Sequence, residues 1–473
     1  MPVPGVTDDV LHRLEDGQRA LEGGRYADAI DAFTHVRDQL PRDVSIALAL
    51  ANVHRLSGDL PRVQKVLLRA HADGDWSTPN TAFSLGSALL DAGAALEAVA
   101  CFQRVVIAMP NDAAAAGALA GARRAVGEAS VAWPLIEKAV RKAPANSALL
   151  LTAAQVRHDL GDFPAALRFL DRADKVRPGH GPTRLQRAYT TLIQGASAEG
   201  WALFDERSLP KPATAAREWH GEPLAGASVL VTAEQGIGDQ FQFMRFVPML
   251  RERGAGRVVV ECHPDAVSLI SANGVEAVAR GGHVETDWHV PLLSLPHRLQ
   301  LGENVAGDRV PYLRAPSSLQ ASARVRHGGT TRRMGLVWAG NPSFTGRVTR
   351  DFPAALLPLI LAIPGIEWTS LQFGEAGDAA PPELRREPLP QDWAATADVL
   401  TRLDGLVTTD TGVAHLAGAM GLSTWILLQY VPDWRWGIRG ETTPWYPTIR
   451  LVRQDKWNDW RGVVGRLSEL LAV

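Results

Sequence analysis

The chain has 473 residues, 46% hydrophobic and 21% charged, too many for one core, so two to four domains are expected. Its 49 Lys and Arg against 51 Asp and Glu leave a formal net charge of −2, which excludes a broadly basic surface for nucleic acid or anionic membrane. Cys101 and Cys262 have no metal or redox spacing, no apolar run is long enough to span a membrane, and the start MPVPGVTDDVLHRL lacks a signal-peptide pattern, so a reducing, cytoplasmic location is expected.

The first half repeats. Glycines at 24, 58, 93, 127, 161 and 195 are spaced by 34 or 35 residues. Five positions after each of the first five stands a small or β-branched residue: Ala29, Val63, Ala98, Ala132, Ala166. Nine positions after stands a large apolar one: Phe33, Leu67, Phe102, Ile136, Leu170. Pro41, Pro110, Pro144 and Pro178 close their units. Glycine frees a turn, small residues let helices approach, and proline stops the second helix. This period is the tetratricopeptide pattern, and it predicts a solenoid of five to six repeats over 1–207. The concave face of such a solenoid usually holds a peptide or protein.

Residues 208–226, rich in Pro, Ala and Gly without a period, read as a linker. Beyond them SVLVTA, RVVVEC, MGLVWAG, IEWTSLQ, GLVTT and STWILL are candidate strands. Helical segments at 240–253, 353–362, 393–403 and 411–420 alternate with them, which predicts parallel sheets covered by helices. The irregular stretch near 311–332 divides this half into lobes at 227–320 and 331–473. Two facing Rossmann-like lobes form a cleft at the ends of their strands, the GT-B architecture or a relative of it.

Two stretches carry chemistry. In VTAEQGIGDQFQFMRF (231–246), Asp239 follows a flexible glycine turn where a strand gives way to a helix. It reads either as an N-cap or as a carboxylate at the mouth of the cleft. A cap would tolerate Asp239→Asn almost silently, because asparagine caps about as well. In TTDTGVAHLAGAMG (408–421), Asp410, Thr411, Gly412 and His415 converge at a helix N-terminus, which can hold an anion or merely be a capped helix. Trp434, Trp436 and Trp445 crowd one loop; packing is the commoner use, with Trp434 or Trp436 a candidate sugar contact. No Walker loop, HExxH or paired CxxC occurs, Phe241 replaces the third glycine of a dinucleotide fingerprint, and the only DxD, Asp73-Gly74-Asp75, falls in a repeat turn. No metal site and no cofactor are expected.

QGIGDQFQFMRFVP and DTGVAHLAGAMG resemble the paired signatures of heptosyltransferase-like glycosyltransferases. With PLLSLP (291–296), GLVWAGNP (335–342) and PDWRWG…TPWYPTIRLVRQ (432–454), nearly the whole chain is similar to bacterial tetratricopeptide-repeat glycosyltransferases of that superfamily. The resemblance implies Asp239 as the base and Gly238, Asn341, Arg347, Arg350, Asp410, Thr411, Gly412 and His415 as the donor-binding set. Gln240, Asp433, Trp434, Arg435 and Trp436 are candidate acceptor or sugar contacts. Two departures stand out. Arg347 and Arg350 occupy the loop where relatives often carry a phosphate-binding lysine, and arginine can fork onto phosphate instead. The inner solenoid positions Glu15, Ala49, Ser84, Ala118 and Thr152 show no asparagine ladder of the O-GlcNAc transferase kind.

The expected function is metal-independent, inverting transfer of a sugar from a nucleotide donor to an acceptor, which the resemblance extends to proteins such as flagellin held by the repeats. The alternatives are a non-catalytic repeat adaptor on a degenerate scaffold and a sugar-nucleotide epimerase.

Overall fold

The computed structural model describes residues 7–209, 212–303, 310–316, 331–341, 347–386 and 390–472. The chain divides into two compact units, one from Met1 to Pro178, the other from Gly179 to Pro342 and Thr349 to Val473.

The first unit is five helix pairs: α1 (Asp8–Glu22), α2 (Tyr26–Gln39), α3 (Val44–Leu56), α4 (Leu60–Asp73), α5 (Pro79–Asp91), α6 (Ala95–Ala108), α7 (Ala113–Ala125), α8 (Ala129–Lys142), α9 (Ser147–Asp159) and α10 (Phe163–Val176). Gly24, Gly58, Gly93, Gly127 and Gly161 turn each pair at φ between +69° and +82°, a left-handed backbone that a side chain would strain. Ala29, Ala98, Ala132 and Ala166 are fully buried, so the paired helices approach closely. Phe33, Leu67, Phe102, Ile136 and Leu170 are each at most 3% exposed, and Phe33 and Phe102 lie against Gly17 and Gly86 on the first helix of their own pairs. Helices α2, α6, α8 and α10 end two residues before Pro41, Pro110, Pro144 and Pro178. The tetratricopeptide register of the sequence is therefore the register of the helices.

The sixth pair, α11 (Gly181–Leu192) and α12 (Ala198–Asp205), falls in the second unit. There Trp201 and Phe204 are 1% exposed, Trp201 packs edge-on against Phe243, Trp434 and Trp445, and its indole donates to Gly302 O at 3.1 Å. The stretch read as a linker supplies an edge strand, β1 (Arg217–Glu218), and a fully buried Trp219.

The second unit holds two sheets. In the first, β2 (Ser228–Thr232), β3 (Arg257–Cys262), β4 (Glu276–Ala279) and β5 (Trp288–Pro291) join β1 in the order β1-β5-β2-β3-β4, parallel throughout. The second contains β6 (Arg332–Val337), β7 (Ile366–Ser370), β8 (Arg385–Arg386), β9 (Gly405–Thr408), β10 (Thr424–Leu428), β11 (Thr442–Thr443) and β12 (Tyr446–Arg453). Their order is β11-β12-β10-β9-β6-β7-β8, with only β11 antiparallel. Each sheet therefore reverses its winding once, between β2 and β5 and between β6 and β9. All six candidate strands form, because buried parallel strands read as continuous β-branched runs. The helix expected over 240–253 is interrupted: α13 (Ile237–Phe243) passes through a 3₁₀ turn at Met244–Phe246 before helix resumes at Val247–Glu252. Pro248 in the first turn of that second piece lacks the N–H that would continue the ladder. The expected division between lobes, 320 to 331, lies outside the described residues up to 330. Among the described residues no helix is long and apolar enough to cross a membrane.

Candidate functional site

In an open parallel sheet, ligands bind at the carboxyl ends of the strands where the winding reverses, because neighbouring loops part there to opposite faces. The loop after β2 is the AEQGIGD stretch and the loop after β5 is LLSLP. The loop after β6 carries WAGN and that after β9 carries TDTG. All four motif loops thus lie at the two winding reversals.

Asp239 is not the N-cap of α13. Gly236 is, and Asp239 is the third helical residue, reaching back so that its Oδ2 accepts the Gly236 N–H at 3.0 Å. Its Oδ1 forms an ion pair with Arg435 Nη2. Arg435 also meets Asp433 Oδ1 at 2.7 Å and donates through Nε to Gln242 Oε1 at 2.9 Å. Burial would lower the Arg435 pKa, but the charges of Asp239, Asp433 and Asp410 outweigh it and hold the guanidinium firmly protonated.

The helix Gly412–Ala419 follows β9 and packs against α13. Glycines make the approach possible. A Cβ on Gly238 would come within 2.8 Å of His415 Cδ2, and one on Gly412 within 2.8 Å of Ile237 Cγ2. His415 is 4% exposed. Its Nδ1 lies 2.9 Å from Tyr446 Oη, its Nε2 3.7 Å from Asp410 Oδ1, and its ring stacks on Trp436 at 5.1 Å. Asp410 also faces Arg350 at 3.9 Å. Burial pushes the Asp410 carboxyl up, but the His415 hydrogen bond and the charges of Arg350, His415 and Arg435 prevail, taking it from 3.8 down to about 2.

The structure thus brings Gly238, Asp239, Arg350, Asp410, Gly412, His415, Asp433, Arg435 and Trp436 together. Thr411 precedes the helix but does not cap it with its side chain, and its hydroxyl lies 2.8 Å from that of Thr408. Asn341 is exposed in the loop after β6. That loop is held by Gln372, whose Oε1 accepts from Trp338 N and Ala339 N, both at 2.9 Å. The Arg347 side chain lies outside the described residues. Gln240 turns inward at 2% exposure, its Oε1 accepting from His263 N at 3.0 Å. Trp434 is 5% exposed beneath Trp201, Phe204 and Trp445. Both side chains are thus buried in this structure, Gln240 in a hydrogen bond to the backbone and Trp434 among aromatic rings. Trp436 likewise is buried, with a face given to His415.

Sequence reasoning missed what lies beneath. Arg245, 2% exposed, donates to Gln242 O at 2.9 Å, Trp445 O at 2.7 Å and Tyr312 Oη at 3.1 Å. A lone arginine inside the apolar run FQFMRFVPML was the available signal, since a charge there is buried only with partners. Glu234, also in the loop after β2, pairs with buried Arg207, whose Nε lies 2.8 Å from Oε2. Cys101 and Cys262 are buried and free, and burial raises their thiols to about 12 and about 11. Among the described residues no group of three or more His, Cys, Asp or Glu could hold a metal ion.

No protein-family profile matches the chain. Protein FlbA of Caulobacter vibrioides (strain ATCC 19089 / CIP 103742 / CB 15) is 25% identical over 434 residues, spanning 82% of this chain and 72% of FlbA. Among solved structures, MamA aligns at 19% identity and a TM-score of 0.30 over 36% of this chain and 92% of its own. A tetratricopeptide repeat protein from Parabacteroides merdae aligns at 13% identity and a TM-score of 0.34 over 42% and 86%. These likenesses accompany a repeat architecture that the helix pairs of the first unit display by themselves.

Proposed function

We propose that the protein is a glycosyltransferase that moves a sugar from a nucleotide-sugar donor to an acceptor hydroxyl, with inversion, the acceptor being a protein or peptide held by the repeats. The observation that carries this reading is the position of the four motif loops, all at the two winding reversals of parallel sheets. In the proposed step the acceptor oxygen attacks the anomeric carbon while Asp239 takes its proton, and the nucleoside diphosphate leaves with the bonding electron pair. Arg435 keeps Asp433 as a partner when Asp239 becomes neutral, so protonation strands no buried charge. Arg350, His415 and the N–H groups opening the Gly412–Ala419 helix would meet the negative charge of the leaving group. The repeats would raise the local concentration of a protein acceptor.

The test is a thermal-shift screen of nucleotide sugars on the full chain, followed by transfer of labelled sugar from any stabilising donor. A bound donor raises the melting temperature by mass action. The reading fails if no nucleotide sugar shifts the melting temperature and none is turned over.

A further inference from the structure

We propose that Tyr446 is a positioning residue for His415: its hydroxyl donates to Nδ1 and holds the imidazole as the Nε2–H tautomer, with that N–H turned toward Asp410. Its role in transfer rests on the glycosyltransferase reading; the tautomer itself does not.

The two hydrogen-bonding ends of the imidazole face different chemistry. Nε2 looks at the carboxylate of Asp410, 3.7 Å away, and an ionised carboxylate only accepts hydrogen bonds. Asp410 stays ionised because its carboxyl is held well below the usual range. The nitrogen facing it therefore carries the hydrogen. In the neutral ring Nδ1 is then left with a lone pair in a site 4% exposed, where an unmet acceptor is costly. The hydroxyl of Tyr446, itself fully buried, stands 2.9 Å away, and burial keeps its proton in place.

The tyrosine is fixed in turn. Its ring lies against Gly418, where a Cβ would approach Cδ1 to 2.6 Å, and the Arg245 guanidinium sits 4.8 Å from the ring centre. Arg245 is immobilised by Gln242 O, Trp445 O and Tyr312 Oη. On the other side, Trp436 stacks on the imidazole at an interplanar angle of 23°, and Gly238 leaves room for its Cδ2 edge. Ring plane and tautomer are thus set by separate residues. The second role follows the usual rule that a partner on one nitrogen fixes the proton on the other.

Long-range ¹H–¹⁵N correlation on the full chain with ¹⁵N-labelled histidine reads the tautomer directly, His415 being assigned by its loss in His415→Gln. The expected wild-type spectrum shows a protonated Nε2 and a hydrogen-bonded, unprotonated Nδ1. Tyr446→Phe keeps the ring but removes the donor. It should erase the hydrogen-bond shift at Nδ1 and lower kcat about tenfold with little change in the donor KM. A protonated Nδ1 in the wild type, or an unchanged spectrum in Tyr446→Phe, overturns the proposal. The wild-type spectrum decides by itself if the phenylalanine variant does not fold. Absence of any nucleotide-sugar turnover in the wild type would sink the glycosyltransferase reading and leave the tautomer to the spectrum.

Discussion

Arg435 and Asp239 stand 196 residues apart in the chain and meet side chain to side chain, Nη2 on Oδ1, while the other carboxylate oxygen closes the start of α13. One carboxylate thus joins a loop of one sheet to the first turn of a helix on the other. This pairing changes what substitutions at the site should do.

Asp239→Asn is not expected to be thermally silent, contrary to the behaviour of a simple cap. The amide can still meet Gly236 N–H but no longer neutralises Arg435, which retains Asp433 and Gln242. We expect a cost of about 1–3 kcal/mol, less than for a buried charge left alone. Transfer should fall about 10²–10⁴-fold as for loss of a general base. Arg435→Gln breaks the same pair but leaves the proposed base, so it should lose stability and retain far more turnover. Equal transfer by the two variants, measured beside their melting temperatures, would return Asp239 to a purely structural role.

Acid should weaken the fold through Asp410. A carboxyl depressed from 3.8 to about 2 contributes stability that is complete above 3.8 and lost as pH falls through about 2. At 1.36 kcal/mol per unit this amounts to about 2 kcal/mol. Denaturant unfolding of wild type and Asp410→Asn should therefore differ most near pH 5 and converge toward pH 2. A difference independent of pH would remove the charged pairing from the account.

Arg207 and Glu234 form a buried pair, with side chains 3% and 9% exposed, that ties the residues after α12 to the loop after β2. Removing one partner leaves the other charge in the interior, so Arg207→Leu or Glu234→Leu should each cost about 3–5 kcal/mol. The double variant should recover much of that, since no charge is then stranded. Additive losses in a double-mutant cycle by chemical denaturation would contradict the pairing.

Gly238→Ala puts a methyl group 2.8 Å from His415 and 3.3 Å from the Cα of Gly412. Overpacking of this kind costs about 1–3 kcal/mol. The helix and the imidazole must yield, so donor affinity by calorimetry should fall together with the melting temperature. Unchanged values for both would show that the close approach of the two helices is not maintained in solution.

A fragment ending at Pro178 should fold as a helical solenoid, whereas one ending at Arg207 should be sticky. The longer fragment carries α12, whose Trp201 and Phe204 are buried by residues of the second unit. Stronger dye binding and association by 1–207 than by 1–178, read by fluorescence and light scattering, is the expected result. Monomeric behaviour of both would mean that α12 can pack on the repeats.

The helical repeat and the candidate strands were legible in the sequence because each is written in local chemistry. A left-handed turn needs its glycine, close helices need alanine, and a buried parallel strand needs a run such as RVVVEC. Tertiary structure decided which residues share a site. No spacing rule could pair Asp239 with Arg435, place Tyr446 against His415, or turn Gln240 inward, because these contacts join helices, turns and strand ends brought together by crossovers. Glycine likewise marked the sixth repeat at Gly195, yet its helices belong to the second unit, where Trp201 packs among Phe243, Trp434 and Trp445. A local period specifies a helix pair; which surface buries that pair is settled by where the largest apolar side chains lose the most contact with water.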